Sequence, residues 1–251
     1  MKKTLFFCAG SSGATKFTKE FLACRGIEFS TLPEPDVTHL MLPIPSFEDD
    51  GRIRGGGVLE HYLGDLPHEV TVIGGNLHHP SVQGYCRIDL LQNPHFLAQN
   101  CAITAWCAMK LAANQMQTVF RSCPVLVIGW GRIGKCLCQM LKDAGCRVTL
   151  LTRKKADLAM AEALGFSAMT PDLEDLGQFR IIFNTVPAQV LSADMLRTCH
   201  SRCIKIDLAS QIGLPGKNVI WARGLPGKDA PESTGILIGE TILQLLKEAH
   251  L

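Results

Sequence analysis

Aromatic residues make up only 6% of this 251-residue chain, and its net charge is only +2 at pH 7. Stacking platforms for single strands need aromatics, and nucleic acid or an anionic membrane surface attracts a basic protein. Neither kind of partner is expected here. No apolar run approaches 18 residues, so no membrane span is expected. There is no C-x-x-C, and neither Cys136/Cys138 nor Cys199/Cys203 stands beside a second ligand pair, which argues against zinc or any other metal. The 11 cysteines are odd in number and mostly lie in apolar runs. They read as buried free thiols in a reducing cytosol, and the protein as cytoplasmic. The start, Met1-Lys2-Lys3 followed by a short apolar run, lacks an A-x-A cleavage signature and reads as a first buried strand rather than a signal peptide.

What the chain does have is 47% hydrophobic and 19% charged residues, which excludes disorder and supplies a sizeable core. With 23 Gly and 13 Pro it reads as loop-rich α/β. Its length suits one large domain or two small ones. Short apolar runs alternate with amphipathic stretches, as in βα units on a parallel sheet. The pattern predicts strands at 4–9, 28–32, 39–42, 70–73, 125–128, 147–151, 180–184, 203–208 and 219–222. Helices are predicted at about 14–25, 132–144, 156–164, 192–200 and 233 to the end. A helix at about 101–117 is apolar on most faces and reads as a buried connector. The expected fold is therefore α/β: a Rossmann-type doubly wound parallel sheet plus a smaller flavodoxin-like α/β domain, with a cleft between them. The expected division is an N-terminal substrate or partner domain over 1–100, a connector over 101–122 and a nucleotide-binding domain over 123–236. The C-terminal helix, about 237–251, is expected to pack back on the first domain, and a homo-oligomer is expected.

The second domain opens on a strand, Val125-Leu126-Val127-Ile128, that runs into Gly129-Trp130-Gly131-Arg132-Ile133-Gly134 and then a helix. This is a G-x-G-x-x-G in its required setting. Gly129 serves the tight turn, Gly131 the close approach to a pyrophosphate, and Gly134 the helix–sheet packing. The helix start offers free N–H groups and the positive end of the dipole. The next strand ends Leu151-Thr152-Arg153-Lys154-Lys155, where an NAD site usually carries an acidic residue for the ribose 2′-hydroxyl. Arg153 and Lys154 would instead attract a 2′-phosphate, so NADP(H) is favoured over NAD(H). A basic cluster at a helix start opposes the dipole, which adds to the case.

Ligands of doubly wound sheets sit at the carboxyl ends of the strands. Three loops of small and polar residues fall there: Asn184-Thr185-Val186-Pro187, Asp207-Leu208-Ala209-Ser210, and Gly224-Leu225-Pro226-Gly227-Lys228-Asp229-Ala230-Pro231. Thr185, Val186, Pro187, Asp207, Leu208 and Ala209 are candidate cofactor contacts. The analogous first-half positions are Gly10-Ser11-Ser12-Gly13, Pro43-Ile44-Pro45 and Gly74-Gly75-Asn76. Ser12 or Thr15 also suits a helix cap. His78-His79 reads as an exposed loop pair, with an active-site proton carrier as its alternative; Arg52 and Arg54 read as charges on a solvated loop, with holding an anionic substrate as theirs. Lys228 is the candidate catalytic residue, because a lysine in a dry site is tuned toward neutral pH. An exposed surface charge is its alternative.

The stretches Val127-Ile128-Gly129-Trp130-Gly131-Arg132-Ile133-Gly134, Asn184-Thr185-Val186-Pro187, Ile206-Asp207-Leu208-Ala209-Ser210 and Gly224-Leu225-Pro226-Gly227, continuing to Ala230-Pro231 and Thr234-Gly235, together resemble one family, that of the dehydrogenase-like A subunit of dipicolinate synthase. Leu42-Pro43-Ile44-Pro45 and Asn100 are weaker counterparts. The resemblance implies a cytoplasmic pyridine-nucleotide oxidoreductase of spore formation (sporulation), which oxidises dihydrodipicolinate to dipicolinate by hydride transfer to NADP⁺. It also implies a small cyclic dicarboxylic substrate and a flavoprotein-like second subunit. Ser11, Ser12, Pro43, Gly75, Asn100, Thr104, Ser210, Gly227 and Thr234 are then substrate-site candidates, with the two carboxylates at helix starts. The chain departs from the family at Ile103-Thr104-Ala105-Trp106-Cys107, where only Thr104 of a Pro-Thr-x-Glu-Gly-like stretch is kept and Trp106 replaces the carboxylate. Two other readings stand beside it. A D-2-hydroxyacid dehydrogenase shares the layout, but 201–235 lacks the His it requires. A non-catalytic NADP(H)-binding protein, a sensor or an assembly factor, is the other.

Overall fold

The computed structural model describes residues 4–172 and 175–248. The chain divides into two compact units. One takes the residues up to Asn100 together with those from Pro226 onward, and the other is Cys101–Leu225.

In the first unit the chain runs β1 (Leu5–Cys8), α1 (Thr15–Ala23), β2 (Glu28–Ser30), β3 (His39–Met41), α2 (Glu60–Leu63), β4 (Thr71–Gly74) and β5 (Cys86–Asp89). The strands form one parallel sheet in the order β2-β1-β3-β4-β5, the flavodoxin-like winding. Phe6, Leu40 and Val72, at the centres of three adjacent strands, are fully buried. Strands covered on both faces read as unbroken apolar runs, which makes these legible in the sequence.

Helix α3 (Pro94–Gln115) follows. It begins two turns before the expected 101, because Pro94 presets the first turn. Over 101–112 it is buried or half-buried on most faces, with Thr104, Ala105, Cys107, Ala108, Met109 and Ala112 buried; Trp106, 61% exposed, and Lys110 stand out on the remaining face.

The second unit runs β6 (Pro124–Ile128), α4 (Arg132–Asp143), β7 (Arg147–Leu151), α5 (Lys155–Ala163), β8 (Ser167–Met169), β9 (Ile181–Asn184), α6 (Ala193–Arg197), β10 (Ile204–Asp207) and β11 (Val219–Trp221). Its six strands are parallel in the order β11-β10-β9-β6-β7-β8. Counted from β6, that is the doubly wound Rossmann order, with the winding reversing between β6 and β9. The expected pairing of a Rossmann-type with a flavodoxin-like fold is thus the fold of this chain. Ser192 accepts the Met195 N–H at 3.1 Å and starts α6 there; the helix stops at Arg197, short of the expected 200.

The segment expected as an open loop before the last helix is itself helical, α7 (Leu225–Asp229), with Pro226 in its first turn. The final helix, α8 (Pro231–Glu248), lies against α1 in the first unit. Two glycines permit the approach: a Cβ on Gly235 would stand 2.6 Å from Phe17 Cβ, and one on Gly239 2.4 Å from the Phe21 ring. The Thr18 hydroxyl donates to the Gly235 carbonyl at 3.2 Å. Expected residues 249–251 of this helix lie outside the described residues.

Candidate functional site

The reversal point of the second sheet is built by three glycines with three different surroundings. Gly129 holds φ +100°, and a Cβ there would meet Thr185 Oγ1 and Val186 Cγ2, each at 2.6 Å. Only glycine combines that backbone with that contact. A Cβ on Gly134 would stand 2.1 Å from the Gly129 carbonyl oxygen, so α4 packs directly on the turn. A Cβ on Gly131 would meet nothing within 4 Å. Gly131 is thus a glycine that protein packing does not require, and its open side is the cradle a ligand's backbone approach would need.

Gly131 is also the N-cap of α4, with no side-chain cap. Among the described residues, no acceptor takes the N–H groups of Gly131, Arg132 or Ile133. Unpaired N–H groups at the positive end of a 12-residue helix bind anions. Trp130 turns the other way: it is 8% exposed, with its ring edge-on to Phe166 at 5.7 Å. It packs the turn against Phe166, the residue before β8.

The neighbouring strand end is held by its own polar contacts. Thr185 donates from Oγ1 to the Ile128 carbonyl at 2.8 Å, and its N–H reaches the same carbonyl at 2.9 Å. Asn184, buried at the end of β9, folds back on Val186: its Oδ1 accepts the Val186 N–H at 3.1 Å and its Nδ2 donates to the Val186 carbonyl at 2.9 Å. Pro187 is exposed just beyond.

Asp207 ends β10 with no exposure at all. Oδ1 accepts from Ala209 N–H (3.0 Å) and Asn184 Nδ2 (3.1 Å), and Oδ2 accepts from Gly213 N–H (2.7 Å) and Leu214 N–H (2.8 Å). Its carboxylate is therefore a fastener for the loop after β10 and not itself a ligand contact. Leu208 and Ala209 are buried behind it, Ser210 is exposed, and Trp221 Nε1 ties the Ala209 carbonyl at 3.1 Å. Sequence reasoning missed Gly213. A Cβ there would collide with Asn184 Nδ2 and the Val186 carbonyl, both at 2.6 Å, so this glycine locks the two loops together. A lone glycine before Leu-Pro gives no signal of that.

At the end of β7, Thr152 is buried and its hydroxyl lies 3.5 Å from Asp157 in the first turn of α5. Arg153 and Lys154 are exposed, and among the described residues neither has an ion-pair partner. A carboxylate, Asp157, therefore sits near the place expected to lack one, but it faces Thr152.

The first unit repeats the strand–turn–helix grammar with its space filled. Ser11 N–H donates to the Arg54 carbonyl at 3.0 Å and Ser11 Oγ to the Gly55 carbonyl at 3.3 Å. Ser12 N–H donates to Thr15 Oγ1 at 2.9 Å. A Cβ on Gly13 would stand 2.2 Å from the Gly227 carbonyl oxygen. Ser46, fully buried, links the ends of β3 and β4: its Oγ donates to the Pro43 carbonyl and accepts the Gly75 N–H, both at 2.9 Å. Asp89 accepts the N–H groups of Asn76, Leu77 and Leu91. Arg52 pairs with Asp50, holding that exposed carboxyl below its usual range, and Arg54 lies 3.3 Å from Glu48, so neither arginine stands free for an anion.

Of the remaining candidates, Asn100 is half-buried and Thr104 buried on α3. Thr234, buried on α8, donates to its own helix at the Ala230 carbonyl (2.8 Å). Gly227 and Lys228 lie in α7, and Lys228 is exposed, not in the dry site its catalytic reading required. His79 stacks on Phe47 at 4.7 Å and accepts from Ser81, a structural use. Among the described residues no group of three or more His, Cys, Asp or Glu could hold a metal, and no helix is long and apolar enough to cross a membrane.

No family model matches the chain. In sequence it is 25% identical to the A subunit of dipicolinate synthase from Bacillus subtilis (strain 168) over 171 residues, 64% of this chain and 58% of that relative's length. Its fold is shared by the crystal structure of the A subunit of dipicolinate synthase from Bacillus halodurans, with a TM-score of 0.83 and 19% identity over 98% of each chain. A transhydrogenase from Sinorhizobium meliloti has a TM-score of 0.73 and 12% identity over 98% of this chain and 94% of its own. The likeness to dipicolinate synthase read from the motifs thus extends to 171 aligned residues of that subunit's sequence and to the whole fold.

Proposed function

We propose that this chain is a pyridine-nucleotide oxidoreductase that binds NADP(H) in preference to NAD(H) and oxidises dihydrodipicolinate to dipicolinate, in partnership with a flavoprotein-like second subunit. The observation that carries the cofactor part is the open side of Gly131 between two glycines that the protein itself fills. The α4 N-terminus, with Gly131, Arg132 and Ile133, would hold the pyrophosphate. Arg153 and Lys154, exposed at the end of β7, would hold a 2′-phosphate through charge-assisted hydrogen bonds. Thr185, Val186 and Pro187 would border the nicotinamide end, with Ser210 the exposed hydroxyl on the adjoining loop. When bound, the nicotinamide supplies the hydride acceptor: dihydrodipicolinate and NADP⁺ give dipicolinate, NADPH and one proton. The substrate itself follows from the likeness to dipicolinate synthase. The first unit is assigned as the substrate or partner domain on the same basis.

The test is absorbance at 340 nm with NADP⁺ and dihydrodipicolinate, run with the chain alone and with a candidate second subunit. A rise that depends on the chain supports the reading. Tight NADPH binding with no rise in either mixture would overturn the dehydrogenase and leave a nucleotide-binding protein. Lys228, being exposed, is expected to be dispensable: Lys228→Ala should leave the rate unchanged, and a loss of rate would restore it as a catalytic residue.

A further inference from the structure

The edge of the second sheet opposite the glycine turn carries a row of arginines. Arg202 stands two residues before β10, Arg180 immediately before β9, Arg121 three residues before β6, and Arg147 is the first residue of β7. Those four strands are consecutive neighbours in the sheet, spaced about 4.8 Å apart, so each has one arginine at its first residue or within three residues before it. The backbone fixes this register: Arg180 N–H donates to the Pro124 carbonyl, Ile204 N–H to the Arg180 carbonyl and Arg147 N–H to the Cys123 carbonyl, each at 2.9 Å.

Arg121, Arg180 and Arg202 line one cavity of about 660 Å³, with Gln115, Gln117, Thr118 and Ser122 as its main polar company. Its wall contains no acidic side chain among the described residues. All four arginines are exposed, and among the described residues none is in an ion pair. Arg147 donates from Nε to the Ser122 carbonyl at 3.2 Å, which leaves its terminal nitrogens free of that contact. In a chain of net charge +2, gathering cations on one edge with no ion pair among the described residues is a local arrangement, not a basic surface in general.

We propose that this cavity is a second binding site, for a small polyanion that carries two or more carboxylate or phosphate groups. Guanidinium forks match both groups in planar, bidentate geometry. The volume falls within the range of small-molecule sites, and repeated cations at strand spacing suit an anion with several charged ends. Doubly wound sheets bind their nucleotide at the carboxyl edge, so a ligand here occupies a place separate from the glycine turn. The assignment stands whether or not the chain is a dehydrogenase.

The test is calorimetric titration of the intact chain with pyrophosphate and with citrate, at ionic strength held constant with sodium chloride. Saturable binding of either is expected, and the better of the two tells phosphate from carboxylate chemistry. Arg180→Ala and Arg202→Ala should each weaken binding about tenfold or more, since a hydrogen-bonded charge is lost. NADPH affinity and melting temperature should stay unchanged, because these side chains are exposed and remote in the sheet from Gly131. Neither probe binding above the chloride control, or both variants binding like the parent, would overturn the site. So would tighter binding of polyglutamate than of either small anion, which would make the edge a protein-docking surface.

Discussion

The two units each place a glycine-rich turn between their first strand and first helix, and the two turns differ in what fills them. After β1, the N–H groups of Ser11 and Ser12 and the space beside Gly13 are all taken by the unit's own atoms. After β6, the N–H groups at the start of α4 have no acceptor among the described residues, and Gly131 borders open space. A glycine can be present because the protein packs against it or because something else must approach. The environment of its missing Cβ tells the two apart, and the sequence does not.

The largest expected effect compares the fasteners of the two sheets. Asp207 and Asp89 each end a strand and collect loop N–H groups, but Asp207 is fully buried and also holds Asn184. Asp207→Ala should cost about 3 kcal/mol or more, because buried donors lose their acceptor, and Asp89→Ala about half of that. Chemical denaturation of both variants checks the order, and equal losses would contradict the role of burial. Next come the packed glycines. Gly13→Ala and Gly134→Ala should each destabilise by about 1–3 kcal/mol, since their Cβ atoms would overlap carbonyl oxygens at 2.2 and 2.1 Å. Gly13→Ala should leave NADPH affinity intact in the folded protein.

How much of this is legible in the sequence follows from the same physics. The central strands are found because burial on both faces makes them continuous apolar runs. The edge strands β5 and β8 escape that reading. Cys86-Arg87-Ile88-Asp89 and Ser167-Ala168-Met169 are short and half exposed, so they show neither a run nor an alternation. The glycine fingerprint is legible as a motif, but its division into packed and open glycines is not. Asp207 reads as a ligand contact because it ends a strand at the right edge. Its four donors come from the loop after β10 and from β9, and that convergence exists only in the fold. Lys228 and the segment around it mislead as a loop because Pro226 opens a helix there.

A smaller effect sharpens the cofactor half of the comparison. Replacing Arg153 and Lys154 with Ala should weaken NADPH about tenfold, roughly 1.4 kcal/mol, and leave NADH nearly unchanged. Equal losses for both nucleotides would show that these side chains do not read a 2′-phosphate.

The smallest effect distinguishes neither unit, and should not. Burial pushes the thiols of Cys8 in the first unit, and of Cys138 and Cys203 in the second, up to about 12 from 9.0. A raised thiol favours folding while neutral, so its contribution is complete below pH 9 and is lost as the pH climbs toward 12. The melting temperature should hold to about pH 9 and then fall; a rise across that window would contradict the assignment. Exposed Cys24 and Cys86 should react first with a thiol reagent at about pH 8.

The central claim is that the open side of Gly131 is a nucleotide site, and NADPH titration of the parent chain and Gly131→Val tests it most directly. The account predicts saturable binding by the parent, at least about tenfold weaker binding by the variant, and a melting temperature lowered by no more than the few degrees that replacing a glycine N-cap costs. Equal affinity in the two proteins, or no NADPH binding by the parent, would contradict it.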